Sequence, residues 1–403
     1  GRAGRTTYSI RSTYQSNKPV QFIPLQTTYG VGANGVSSNC AVINCSISAN
    51  FFSFGPALPA GTTIYDHAQE MYETGVTLDN TLSMSGGNDR TTFYLSGGAL
   101  VDNGYMTGDS DYWKRYTTRF NGSHAIVENL NVRVSGSYVQ TKGRGNQRGN
   151  SIGGLLGALR TPPDFNNQQY LDPTSRLHRS WRFPMPGPTA VTNNRGFDNP
   201  FYFINEAVSS AETGRFFGNI QASYQPFKWL TFNETVGADY NSDDRVEAFP
   251  ISSSGGAVGG QDTRWQFYDR ILDHTLNATA NYEPNKNFHV SGTIGQNLNE
   301  TYYRNISVVG RTWIAPQPFK LSNTVSRETP DDAETRTRIE GYFFQANFDL
   351  LDQIFLQGRV RNDGNSRFGV NSQRAWYPGG SAAWSFTKAL KLPEVLVNYG
   401  KLR

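Results

Sequence analysis

No segment of the chain approaches the roughly 18 uninterrupted apolar residues that read as a transmembrane helix, so a helical membrane protein is excluded. Cysteine is scarce, with 2 in 403 residues, which rules out a small fold stapled by several disulfides. The 5 histidines contain no H-E-x-x-H and no close pair, so a catalytic metal site is not indicated and no cofactor is implied. Basic runs interleaved with aromatics are missing and the net charge is only +4, so nothing points to a nucleic-acid partner.

What the chain does have is aromatic rings, glycine and alternation. Aromatics make up 13% of residues against 37% hydrophobic overall, and Gly 41 and Pro 19 suit many turns rather than long helices. Composition alone fits a soluble all-β protein as well as it fits a barrel whose wall shows lipid only at every second residue.

The connections separate the two. Segments of about ten alternating residues are joined by short turns at 86–90, 124–129, 225–229, 283–287 and 349–353. The connections on the other side run long, over 16–75, 141–214, 241–270 and 301–338. A soluble sandwich has no reason to sort its loops by length onto alternate hairpins, whereas an outer-membrane barrel has short periplasmic turns and longer extracellular loops.

Within the strands the period is 2. Leu130, Val132, Val134, Gly136 and Tyr138 share one face, and Asn131, Arg133, Ser135 and Ser137 the other. The same pattern recurs in Phe216, Gly218, Ile220, Ala222 and Tyr224, in Leu230 to Tyr240, in Leu272 to Tyr282 and in Phe288 to Leu298. Aromatics close many of these apolar sets, as Tyr8 and Tyr14 or Tyr116 and Phe120 do, which fits an interfacial belt. Arg11, Arg119, Arg133, Arg359 and Arg361 fall out of phase with the apolar set, where a lumen position avoids the roughly 2–4 kcal/mol cost of a cation at the bilayer midplane. Asn80, Glu234 and His274 break the rule, and are expected near strand ends, at bulges or under another subunit.

Strands are expected near 6–15, 76–85, 91–99, 112–123, 130–140, 215–224, 230–240, 271–282, 288–298, 339–348, 354–361 and 375–386, with a thirteenth beginning near 399. The opening Gly1-Arg-Ala-Gly-Arg5 and the closing Lys401-Leu-Arg403 both read as cut ends.

Several blocks, in order, resemble the SusC/RagA family of TonB-dependent outer-membrane transporters. Gly1 to Arg5 resembles the junction between plug and barrel; Tyr29-Gly-Val-Gly32 with Asn34-Gly35 is similar to the family's first-loop YGQG-x-NG. Ser85 to Ser96 resembles its S-G-G-x-x-x-T-x-Y-x-x-S hairpin, and Tyr112 to Tyr116 with Arg119 to Asn121, Leu159 to Pro163, and Gly341 to Phe343 resemble further blocks. The most specific is Arg359 to Gly369 followed by Tyr377-Pro378 and Ala382 to Ser385, similar to R-x-D-G-S-S-R-F-G…P-S-x-S-A-A-W. Asn365 stands where Ser is usual and Val31 where Gln is usual, which leaves the first-loop contacts less defined.

The resemblance implies an antiparallel transmembrane β-barrel of about 22 strands, of which residues 1–403 would supply 12–13, with the plug, the TonB box and the C-terminal strands lying outside. It implies the outer membrane of a Gram-negative bacterium, with outer-membrane lipid around the wall. It further implies active import of an oligosaccharide or peptide, a SusD-like lipoprotein closing the extracellular mouth, and energy from the TonB complex through the N-terminal region. No enzyme activity follows. A passive porin, or a secreted β-rich carbohydrate-binding protein, are the alternatives.

Ligand contacts are expected on the long loops. The segment 241–270 carries Trp265, Phe267 and Tyr268, whose rings could stack on a sugar, although covering apolar loop surface or meeting a partner is the more ordinary role for such rings. Cys40 and Cys45 lie in the first long loop, where an oxidising exterior favours a disulfide, with a pair of free thiols as the alternative. Gly30 to Gly35 fits G-x-G-x-x-G and Gly149 to Gly153 fits G-x-S-x-G, but neither has the strand and helix context its chemistry needs.

Overall fold

The computed structural model describes residues 4–37, 53–145, 153–173, 178–181, 198–253, 259–390 and 401–402. The strands are β1 (Gly4–Asn17), β2 (Gly32–Ala33), β3 (Val36–Ser37), β4 (Gly75–Gly87), β5 (Thr91–Asp102), β6 (Tyr112–Val127), β7 (Leu130–Arg144), β8 (Val208–Phe227), β9 (Leu230–Phe249), β10 (Gln261–Asn285), β11 (Phe288–Trp313), β12 (Thr324–Arg327), β13 (Asp331–Leu350), β14 (Ile354–Asn365) and β15 (Arg374–Trp384). Among the described residues there are three short α-helices, α1 (Gly154–Arg160), α2 (Pro200–Glu206) and α3 (Phe386–Leu390), and a 3-10 turn at Leu321–Asn323.

One sheet carries the fold. Its path runs β1-β4-β5-β6-β7-β8-β9-β10-β11-β13-β14-β15, an up-and-down meander, with β12 folded back on β11. Every long pair is antiparallel, and the twelve strands of the path are those expected from the alternation. The path does not return to β1 among the described residues. Near the expected thirteenth strand, Leu402 exchanges two 2.9 Å backbone hydrogen bonds with Trp384.

The register settles which face is which. Val134 opposes Gly122 and Ile220, Ile220 opposes Val236, and Val236 opposes His274, so the apolar phase of one strand passes to the next without a slip. A one-residue error in any pair would have reversed the faces from there onward. These outward side chains stay largely uncovered by the rest of the chain: Ile220 is 55% exposed, Ile294 63% and Ile10 81%. A water-facing wall of that kind would be unstable, whereas bilayer hydrocarbon supplies its missing contacts.

Two expected connections are mostly strand. β9 continues to Phe249 and β10 starts at Gln261, so 241–270 shrinks to 250–260; β11 continues to Trp313 and β13 starts at Asp331, so 301–338 shrinks likewise. At 25 and 26 residues, β10 and β11 far exceed the roughly 9–11 a crossing needs and stand well beyond the bilayer. There the outward face no longer has to be apolar, so the alternation fades while the ladder continues. Cross-strand ion pairs take over: Glu300 binds Arg270 and Arg338, each at 2.6 Å, and Arg304 binds Asp332 at 2.8 Å.

The other ends are tighter than expected. Only 88–90, 128–129, 228–229, 286–287 and 351–353 separate those strands, because the ladders run past a register shift into the turns at Ala125/Val127, Tyr224/Phe227 and Tyr282/Asn285.

Asn80, Glu234 and His274 sit mid-strand on the outward face, not at ends or bulges. One polar atom of each finds a partner on the next strand: Ser12 Oγ donates to Asn80 Oδ1 at 2.6 Å, and His274 Nε2 lies 3.3 Å from Glu234 Oε1.

Most of the burial lies in the long connections, with the rest at the adjoining ends of the strands. Met71, Ala158, Phe201 and Ile204 form a small core with Tyr72, Met106 and Tyr170 packed around it, joining the loops 18–74, 103–111 and 145–207. α2 starts there because Asn199 Oδ1 accepts from the backbone N–H of Phe201 at 2.9 Å, with Pro200 at the first helical position. His67 ties the same layer, its Nδ1 2.6 Å from Glu70 and its Nε2 2.9 Å from the Pro162 carbonyl. A structured cap therefore covers the long-loop end of the sheet.

Candidate functional site at the long-loop end

The inward face is mainly polar, with Phe217 and Ile271 among its apolar exceptions. Arg119, Asn121, Ser135, Ser137, Asn219 and Asp239 line one hollow of it, and Arg215 clamps Asp239 through two guanidinium nitrogens, at 2.9 and 2.5 Å. Higher up, where β6 to β10 emerge under the cap, this face widens into a cavity of about 770 Å³. Trp113, Arg144, Asp243, Arg245, Glu247 and Trp265 line it, with Asp102, Tyr105, Asp111 and Tyr112 from the neighbouring connection.

Strand phase places these side chains. Trp113 lies on the inward face of β6 opposite Gly143 of β7, and the missing side chain leaves room for the indole: a Cβ at Gly143 would stand 2.6 Å from its Cε3. Trp113 remains 44% exposed, so part of its surface still faces the cavity. On β9 and β10, Trp265 opposes Arg245 and Phe267 opposes Asp243.

Most of the cavity's charge is already engaged. Arg245 donates to both oxygens of Asp243 at 2.6 to 3.1 Å, which holds the guanidinium above its ordinary pKa, and it lies 5.0 Å over the ring of Phe267. Arg144 Nη2 donates to the Ala207 carbonyl at 2.8 Å. Asp102 accepts from Thr77 and from the Gly104 amide, and Asp111 from the Tyr105 and Met106 amides. Glu247 is different: flanked across the ladder by Ser209 and Thr263, it has no hydrogen-bond or ion-pair partner among the described residues, and burial pushes its carboxyl above the usual range.

The aromatic trio expected on a loop is therefore on strand β10 and is split by the pleat. Trp265 and Phe267 point inward, Trp265 into the cavity and Phe267 beneath Arg245, while Tyr268 points outward and meets Tyr302 edge-on at 5.9 Å. The three rings do not form one platform. Trp113, Glu247 and Gly143 were not singled out as site residues, although the alternation already puts Trp113 in phase with Arg115 and Arg119 on the polar face. An aromatic in the polar phase at a strand's upper end was the available signal. Cys40 and Cys45 lie outside the described residues.

A second hollow, of about 540 Å³, lies among Leu95, Phe120, Tyr138, Phe216, Ile220 and Val236. All six are outward, so it belongs to the lipid belt. Under the cap, Ser253 Oγ donates to Asp198 at 2.5 Å and the Asn199 amide donates to His178 Nε2 at 3.0 Å; with each of these residues at most 3% exposed, they anchor the start of α2.

The sequence blocks also have local causes. Gly341 opposes Asp363, and a side chain there would collide with the Arg361 guanidinium, which bonds Asp363 at 2.6 Å. The Gly341 to Phe343 and Arg359 to Gly369 blocks are thus two sides of one contact. In the first loop, Asn34 and Gly35 both take positive φ, 54° and 76°, to turn the β2–β3 hairpin.

No family model matches the chain. It is 23% identical over 367 residues to the TonB-dependent receptor SusC of Bacteroides thetaiotaomicron, covering 85% of this chain and 35% of that protein. It is 24% identical over 348 residues to TonB-dependent receptor P3 of Formosa agariphila, covering 82% of this chain and 32% of that protein. The chain thus spans about a third of the length of the curated relatives it matches. Among solved structures, the RagAB peptide importer in its open-open state superposes with a TM-score of 0.69 over 96% of this chain and 44% of its own, at 19% identity. The RagAB peptide transporter superposes at 0.64 over 82% and 36%, also at 19% identity. Over most of its length the chain is thus similar in sequence to TonB-dependent receptors, and it shares with part of RagAB the fold of an antiparallel barrel wall.

Proposed function

We propose that the chain forms part of the wall of a transporter that imports an oligosaccharide or peptide across the outer membrane, drawing energy through TonB and working with a SusD-like lipoprotein. The observation that carries this reading is the partition of one sheet into an apolar outer face and a polar inner face that widens into an aromatic-lined cavity under the extracellular cap. Relatives named as TonB-dependent receptors, and a fold shared with a protein described as a peptide importer, support it. A barrel of about 22 strands, as the resemblance implies, needs a plug, and a plug needs an energy source to move it.

Uptake of labelled oligomers by cells producing the full-length protein tests the reading. Uptake should vanish when TonB is deleted or the proton gradient is collapsed, and co-purification should recover a lipoprotein with the barrel. Uptake that persists under both treatments would identify a passive porin instead.

A further inference from the structure

We infer that the cavity under the cap recognises its ligand through a primary ammonium group, held by Glu247 and set against the indoles of Trp113 and Trp265, and that it disfavours anionic glycans. The inference rests on the uptake reading for its meaning as a substrate site, although binding can be measured by itself.

Four carboxylates, Asp102, Asp111, Asp243 and Glu247, face two guanidiniums in this cavity, so an anionic ligand enters against the local field. The two arginines offer such a ligand little, because Arg245 is already chelated by Asp243 and Arg144 is turned to a backbone carbonyl. Of the four acids, Asp102, Asp111 and Asp243 are held by neighbouring donors, and Glu247 alone presents both oxygens unengaged. A primary ammonium is a compact cation able to satisfy a partly buried carboxylate, by charge-assisted hydrogen bonds at short range. The indoles favour the same group, since a cation is drawn to the face of Trp, and they also offer flat apolar surface to a sugar ring or a peptide side chain.

One chemistry is implied and two sources could supply it, an amino sugar or a peptide. The full-length protein in detergent is therefore titrated calorimetrically with a glucosamine tetramer and its N-acetylated form, with a lysine-containing tetrapeptide and its fully acetylated form, and with a galacturonate tetramer. Acetylation removes the charge and keeps the oligomer's backbone, and the Glu247→Gln comparison separates loss of charge from the bulk of the added acetyl groups. In at least one pair the free amine should bind about tenfold more tightly than its acetylated form, and the pair that shows this identifies the source. Glu247→Gln should reduce that preference to less than about threefold, and Glu247→Asp, which keeps the charge, should retain most of it. Heat-modifiability on gels confirms that each variant is a folded barrel. Equal binding within both pairs, tightest binding of the galacturonate, no binding of any probe, or an unchanged preference in Glu247→Gln would each overturn the inference. The two readings fail separately: an amine preference with energy-independent uptake would retire active import alone, and energised uptake without the preference would retire this inference alone.

Discussion

Trp113 occupies the space a side chain at Gly143 would fill: a Cβ on the glycine would stand 2.6 Å from the indole Cε3 and 3.0 Å from Cζ3. The two are direct partners across β6 and β7, so the glycine determines where the indole rests in the cavity. Gly143→Val should push the ring off the strand, destabilise the full-length barrel by about 1 kcal/mol, at the low end for overpacking because the ring is half-exposed, and alter the tryptophan near-ultraviolet circular dichroism. An unchanged spectrum and melting temperature would show that the indole does not depend on that space.

Val134 and Ser135 test the two faces of the sheet. Val134 lies in the outward row with Ile220, and Ser135 opposes Asn219 on the inward side. Val134→Arg should cost about 2–4 kcal/mol in chemical unfolding of the full-length protein, and Ser135→Arg little. Equal losses would contradict the register.

Glu234 and His274 form a polar pair on the lipid-facing wall, 3.3 Å apart. Desolvation makes such a pair a poor source of stability, while removal of one partner strands the other. Glu234→Leu with His274→Leu should therefore match or exceed the parent in unfolding free energy, by up to about 4 kcal/mol, whereas either single change should destabilise it. Additive losses from the two single changes would rule this out.

Glu247 links burial to pH. Its folded-state pKa is raised, so its contribution to stability is intact below the unfolded value near 4.3 and is lost as pH rises through the raised value. Glu247→Gln removes that loss. Its melting temperature relative to the parent should climb between acid and neutral pH and then level off; a difference that stays flat across the range would mean the carboxyl is well solvated.

Cys40 and Cys45 are expected to be joined in the extracellular loop, with a stabilisation at the low end of the usual roughly 2–4 kcal/mol because the closed loop is short. Peptide mass spectrometry of full-length protein purified without reductant should find the linkage, and reduction should leave the barrel's heat-modifiability unchanged. Complete alkylation of both thiols in unreduced outer membranes would disprove it.

Alternation alone determined the twelve strands, their phase and the parity of their connections, because a wall between lipid and a polar interior must change character at every residue. Arg119 and Arg133 could be placed inward from sequence for that reason. Beyond the bilayer the constraint lapses, and Arg270 and Arg338 read as loop although they are ladder residues, each ion-paired across strands to Glu300. Only the tertiary structure decided those extensions, since hydrogen bonding to a neighbour far along the chain leaves no periodic trace. It alone also brought Met71, Ala158 and Phe201 into one cap and Trp113, Glu247 and Trp265 into one cavity. Met71 comes from one long connection and Ala158 and Phe201 from another, and Trp113 of β6 lies far along the chain from Glu247 and Trp265 of β9 and β10, so their meeting depends on register and on the path of long connections, which a linear pattern does not encode.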